Sequence, residues 1–339
     1  MTPGFCVINP EGRDDIRHFS SGAGSPGDAG HPPVNYHAYA ACHSGSFLRR
    51  VGDLPTTTRA ALVLLRKRNL RAVLKTLAEL KARGMISLIS LKESGSHQVA
   101  DFLNDTGRAS LFRRICTTAD GFLSSTPELV SLYRSAGCRG GFFAPTPYPM
   151  EDQAWDFSIP LHERSGIFVG TREFRVPSRN HWHAVALAAS LAGRHRIPLT
   201  VVNSEGRHGR KLLEGFQGPS VDLRIIEGRM PYPEYLRMMA RHRIVLQLDG
   251  SAVPGQVAGD ALLCRMPCLG GNGAVDRLAF GAPSENPSEV ASRLITEDTF
   301  WNEQVDSALE RARKHLAFSA VRELISREVS VLSTKTTGV

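Results

Sequence analysis

The stretch "GSAVPGQVAGDALLCRMPCLGG" (250–271) joins a glycine-bearing loop to a short helix that carries one acid, Asp260. A helix start presents unpaired N–H groups and the positive end of its dipole, so it attracts phosphate. The run before it, "RIVLQLD" (243–249), reads as a strand, and three earlier strand-like runs in this half of the chain end in a similar way. "GIFVG" (166–170) leads through Gly170 into "TREFRVPSRN", which holds Arg172, Arg175 and Arg179. "LTVVN" leads into "SEGRHGRK", and "LRIIEG" into "RMPYPEY", which opens on Arg229. Four consecutive strand ends that are basic, glycine-bearing or both suit a nucleoside diphosphate. Neither GxxxxGKS nor GxGxxG is present, so the commonest phosphate loops are not indicated.

Such loops need a scaffold, and the spacing supplies one. "FCVIN" (5–9), "AALVLL" (60–65), "MISLISL" (85–91), "GFLSS" (121–125) and "FFAPTPYP" (142–149) are strand-like, with helical patterns between most of them. "NLRAVLKTLAELKARG" (69–84) has apolar residues at 70, 73, 74, 77 and 80, one face of a helix closed by Gly84. "NYHAYAACHSGSFLRR" (35–50) also reads as helix, and helices are expected near 287–296 and 299–327. Residues 11–34 are too rich in Gly, Ser and Pro for regular structure. Strand, helix, strand at this spacing means parallel βαβ units. The pattern restarts after the Pro-rich stretch "PTPYPMEDQAWDFSIPLHERS". The expected architecture is two doubly wound α/β domains, 1–155 and 156–339, with the last helices packing back on the first domain.

With 339 residues and 42% hydrophobic content the chain is long enough for two such domains. No apolar run is long enough to span a bilayer, and the N-terminus lacks the pattern of a secretion signal. Six scattered cysteines read as buried free thiols of a cytoplasmic protein. A net charge of +8 favours anionic partners: nucleotides, phosphorylated glycans, acidic lipid head groups or nucleic acid. His181 and His183 in "HWH" would point to different faces of a helix, so no metal site is expected there.

The segment "PYPEYLRMMARHRIVLQLDGSAVPGQVAGDALLCRMPCLGGNGAVDRL" resembles the C-terminal half of GT-B nucleotide-sugar glycosyltransferases. It is most similar to the large retaining group that includes glycogen and sucrose synthases. The resemblance covers roughly residues 160–280, with Tyr235 and Ala240 on one helix, Gly255 in the loop, Asp260 as the acid, and Cys264 and Pro267 at the helix close. It implies two Rossmann-like domains facing a cleft, with a nucleotide-diphosphate sugar as donor substrate and neither cofactor nor metal. It also implies that Gly255, Gln256 and Val257 touch the donor's phosphates or sugar, that Asp260 holds the ribose hydroxyls, and that Arg172 and Arg179, with Arg175 as rival, bind the diphosphate. Two departures stand out: the family's second acid, eight residues before Asp260, is Ala252 here, and the acid itself is Asp, one methylene shorter than Glu.

By the same resemblance the first domain should carry the acceptor. Its strand ends offer "NPEGRDD", "LKESGSH" and "SSTPE". Lys92, Glu93 and His97 follow the strongest buried strand, and Glu93 and His97 are the candidate catalytic residues. The loop 11–34 is a candidate acceptor loop. The acceptor stays open among a glycan, a lipid-linked glycan reached by peripheral contact with an acidic membrane, and a modified DNA base. A nucleotide-sugar epimerase and a non-catalytic GT-B-like scaffold are the rival functions.

Overall fold

The strand-forming runs are short and largely apolar on both faces, as strands covered by helices on both sides must be. The computed structural model describes residues 4–170, 173–228 and 230–337. The runs assemble into two sheets, and the chain divides into two compact units.

The first unit comprises the chain to Asp152, the segment Ala252–Pro254 and the chain from His315. Its elements in order are β1 (Gly4–Ile8), β2 (Arg17–His18), α1 (Tyr36–Ala41), β3 (Ser46–Leu48), β4 (Thr58–Leu65) and α2 (Leu70–Ala82). Then come β5 (Ile86–Leu91), α3 (Ser96–Leu103), α4 (Thr106–Thr118), β6 (Gly121–Ser124), α5 (Val130–Ser135) and β7 (Gly141–Phe143). The sheet order is β2-β3-β1-β4-β5-β6-β7, parallel apart from the antiparallel pairing of β2 with β3. Alternate residues of a strand face opposite sides, so β4 feeds two cores. Val63 and Leu65 join Ile89, Val73 and Leu77 on one face, while Leu62 and Leu64 join Leu88 and Tyr39 on the other.

The second unit comprises 153–251 and 255–314. Its elements are β8 (Ile167–Val169), α6 (His181–His195), β9 (Leu199–Asn203), α7 (Gly206–Glu214), β10 (Leu223–Glu227), α8 (Tyr232–Ala240) and β11 (Ile244–Leu246). They continue with α9 (Gln256–Leu263), β12 (Cys268–Leu269), α10 (Ala274–Ala279), α11 (Pro287–Thr296) and α12 (Asp298–His315). The sheet order is β10-β9-β8-β11-β12, with every pairing parallel. The final helix, α13 (Phe318–Thr337), returns to the first unit, where Val321, Ile325 and Val329 lie in its core. Among the described residues no helix is long and apolar enough to cross a membrane, and all six cysteines are buried and free.

Two expectations need correction. Helix in 35–50 is confined to α1, because Ser44 turns the chain at φ 50 and Gly45 approaches Phe5 too closely for a side chain. A Cβ at Gly45 would lie 2.0 Å from the Phe5 carbonyl oxygen, and the chain leaves this turn as β3. The single helix expected over 299–327 is two, broken where the Leu316 carbonyl accepts from the Tyr148 amide at 2.7 Å and Ala317 bridges Tyr148. The loop 11–34 has little regular structure, yet it is packed: Phe19 is buried under the Arg17 guanidinium, which also pairs with Asp28 at 3.3 Å. His37 stacks between Phe47 and His31, and burial pushes its pKa down to about 3, so it stays neutral.

Arg164 holds the second unit's helices together. It is buried, and its guanidinium donates to the carbonyls of Ile159 (3.1 Å), Ala240 (3.0 Å) and Cys264 (2.8 Å). Ala240 and Cys264 end α8 and α9, so the cation sits where two helices leave carbonyls unpaired. Arg164→Ala strands three buried acceptors and is expected to lower the stability of this unit by about 3–5 kcal/mol in chemical denaturation. A loss below about 1 kcal/mol would show that these carbonyls find other partners.

Candidate functional site

In an open parallel sheet, ligands bind beyond the carboxyl ends of the strands where the strand order reverses. In the second unit that point lies between β8 and β11, since β9 follows on one side of β8 and β11 lies on the other. The loops that leave β8, β11 and β12 are stitched together there. The Gly250 amide donates to the Ser178 carbonyl at 3.1 Å, the Ser251 hydroxyl to the Ser178 hydroxyl at 2.8 Å, and Asn272 Nδ2 to the Gly250 carbonyl at 3.1 Å. Phe174, packed on Trp182 with ring centroids 4.6 Å apart, anchors the loop after β8.

Gly255 opens α9 from the left-handed region at φ 89, and no side chain caps the helix. A helix start presents its first-turn amides and the positive end of its dipole to whatever lies beyond it. Only glycine fits: a Cβ would lie 2.6 Å from an Asp276 carboxylate oxygen and 3.2 Å from Val275. Gly170, at the end of β8, is buried, and a Cβ there would come within 3.1 Å of Val257. The structure thus brings together Gly170, Gly255, Gln256 and Val257. Asp260 lies one turn into α9, 1% exposed, and its Oδ1 accepts from the Tyr232 hydroxyl at 2.6 Å.

The arginines divide. Arg172 and Arg229 lie outside the described residues. Arg175 is exposed and pairs with Glu205 at 3.1 Å. Arg179 is committed to two carboxylates, Glu173 at 2.8 Å and Asp249, so within this structure its guanidinium braces the loops after β8 and β11. Asp249 Oδ1 in turn accepts from the Ser251 amide at 2.9 Å.

The candidate catalytic residues lie in the first unit. Glu93 follows β5, is exposed, and lines a cavity beside Arg66 and Arg68. Lys92 beside it is ion-paired with Asp14. Burial pulls the Lys92 pKa down; burial also pushes Asp14 up, but Lys92 and Arg66 outweigh it and leave the Asp14 carboxyl below its ordinary value. His97 is half-buried in the first turn of α3, next to Ser96, whose amide donates to the Ala252 carbonyl at 3.0 Å. Among the described residues no group of three or more His, Cys, Asp or Glu could hold a metal ion.

Sequence reasoning missed Asp276, the buried acid of this site. It is 3% exposed, accepts from Gln247 Nε2 at 3.1 Å, and is walled by Gly255, Gly271 and Gly273. A Cβ on any of the three would collide with its carboxylate. The "GGNG" run (270–273) just before it was the available signal, because glycines after a strand mark close backbone approach. Tyr232 was missed as well: it reads only as the opening residue of α8.

No protein-family model and no curated protein matches the sequence. Solved structures do match: the fold is that of GT-B glycosyltransferases. An alpha-glucosyltransferase in complex with UDP-glucose and DNA containing an abasic site is similar over 96% of this chain and 99% of its own, with a TM-score of 0.65 at 10% identity. OtsA, a trehalose-6-phosphate synthase, is similar over 80% of this chain and 72% of its own, with a TM-score of 0.58 at 12% identity. TarM gives a TM-score of 0.57 at 11% identity over 80% of this chain, which spans about half (54%) of TarM's length.

Burial and the nearby Asp249 charge raise the Asp276 pKa from 3.8 to about 6. A carboxyl whose folded pKa is raised stabilises the fold when protonated, fully below 3.8, and that stability is lost as pH rises through about 6. Asp276→Asn lacks this titration. Its stability relative to wild type is therefore expected to improve by about 2–3 kcal/mol between pH 4 and pH 8. Denaturation midpoints of both proteins across that range check this; a constant difference would mean Asp276 titrates normally.

Proposed function

We propose that this protein is a glycosyltransferase that takes a sugar from a nucleoside-diphosphate donor bound at the switch point of the second unit. The observation that carries it is the glycine-led start of α9 at the switch point, with buried Asp260 one turn inside. The amides of Gln256 and Val257 would donate to the diphosphate as its negative charge grows on leaving, which is where fixed donors help most. Asp260, oriented by the Tyr232 hydroxyl, would accept from the ribose hydroxyls. Arg175 is exposed and able to swing toward phosphate, whereas Arg179 would hold the loops in register. Uridine is the first base to test, because similar structures carry UDP or UDP-glucose.

The acceptor would be taken by the first unit, with Glu93 and His97 as its candidate acid–base groups. A glycan, a lipid-linked glycan and a modified DNA base all remain acceptors to assay, since one similar enzyme was solved with DNA. A binding-only role has one residue in its favour. Ala252 stands where the resemblance expects an acid.

Under this reading UDP raises the melting temperature, because a ligand that binds only the native state stabilises it. Asp260→Asn is expected to weaken UDP binding by about 1–3 kcal/mol while leaving the protein folded. An unchanged affinity in a folded variant removes Asp260 from the site. Binding is further expected to survive EDTA; loss restored by magnesium or manganese would contradict the metal-free donor site. Consumption of UDP-sugar by the wild type decides for the enzyme. If no nucleotide sugar of any base is consumed with any acceptor, the binding-only reading replaces it.

A further inference from the structure

The first sheet has a switch point of its own. β3 lies on one side of β1 and β4 on the other, so the crevice opens at the carboxyl ends of β1 and β4. Buried Asn69 builds it. Its Nδ2 donates to the carbonyls of Pro10 and Leu64, both at 3.0 Å, and its Oδ1 accepts from the Arg66 amide at 2.8 Å. One side chain thus clamps the loop after β1 to the loop after β4. Having spent its groups there, Asn69 does not cap α2. Glu11, on the first of these loops, is held at φ 56, a left-handed conformation that favours glycine.

Between the loops lies a cavity of about 400 Å³ whose charged lining is four cations, Arg13, Arg66, Lys67 and Arg68, against Glu11 and Glu93. Two of the cations are engaged. Lys67 pairs with Asp101, and Arg66 stands 3.9 Å from Asp14, which is also held by Lys92. The guanidiniums of Arg13 and Arg68 are in no ion pair among the described residues, and both residues are exposed. Arg66 and Lys67 thus have carboxylate partners of their own, whereas Arg13 and Arg68 present exposed guanidiniums to the cavity.

We propose that this cavity binds the phosphate group of a small phosphorylated molecule, with the Arg13 and Arg68 guanidiniums as its forks. On the glycosyltransferase reading above, on which this role rests, that molecule is the acceptor. Guanidinium matches phosphate in a bidentate geometry. The cations gather at one concavity of the size that takes a single small molecule, which favours a phosphomonoester over a nucleic-acid strand.

The test is calorimetric titration of the full chain with inorganic phosphate, a hexose phosphate, the same hexose without phosphate, duplex DNA and UDP. It is run on wild type, Arg13→Ala and Arg68→Ala, with melting temperatures as folding controls. The hexose phosphate is expected to bind, the bare hexose is not, and each substitution should weaken hexose-phosphate binding tenfold or more while UDP binding stays unchanged. The proposal is overturned if the hexose phosphate does not bind or binds both variants as it binds wild type. It is also overturned if the substitutions weaken binding of DNA alone. Arginine-dependent binding of the hexose phosphate in a protein that binds no nucleotide would sustain this subsite and defeat the donor-site reading instead.

Discussion

A parallel strand can be followed by a parallel neighbour only through a crossover, and each crossover sets out from the carboxyl edge of the sheet. That constraint organises both halves of this molecule. It gathers the loops after β8, β11 and β12 at one edge, and the loops after β1, β4 and β5 at the corresponding edge of the other sheet. Where the strand order reverses, neighbouring loops diverge and leave room for a ligand. In the second unit that room is bordered by the start of α9, and in the first by a cavity lined by Arg13, Arg66, Lys67 and Arg68 with Glu11 and Glu93.

Each edge is held by polar side chains buried for that purpose. Asn69 fastens two loops by using both its amide hydrogens and its oxygen, so its burial costs little. Asp276 is different: it keeps a carboxylate in a closed cage of glycines, raised toward neutral pH, and the fold tolerates the cost. The cage fixes the backbone at Gly255 from behind, which sets the direction of the α9 amides. Arg164 does for the far ends of α8 and α9 what no local residue does, accepting burial in exchange for three carbonyls.

Much of this architecture was legible in the sequence because it rests on local periodicity. The apolar face of α2 is visible at 70, 73, 77 and 80, and those positions are buried. The glycine-led loop before Asp260 was legible for the same reason, since its signal lies within a dozen residues. What was not legible depends on partners distant in the chain. Asn69 looks like an ordinary helix start until Pro10 is brought to it, and "RKRN" (66–69) looks like a solvated charge run until the loop after β1 faces it. Arg179 reads as a phosphate fork until Asp249, seventy residues on, claims it. The break between α12 and α13 follows from Tyr148, far from either helix in sequence.

The central claim is that the amides opening α9 receive the donor's phosphates. An amide-resolved NMR titration of the full chain with UDP tests it most directly. The account predicts that the largest shifts fall on the backbone N–H groups of Gly255, Gln256, Val257 and Ala258, with Gly170 following. Saturable binding whose largest shifts lie away from α9, on the amides of another strand end, would contradict it.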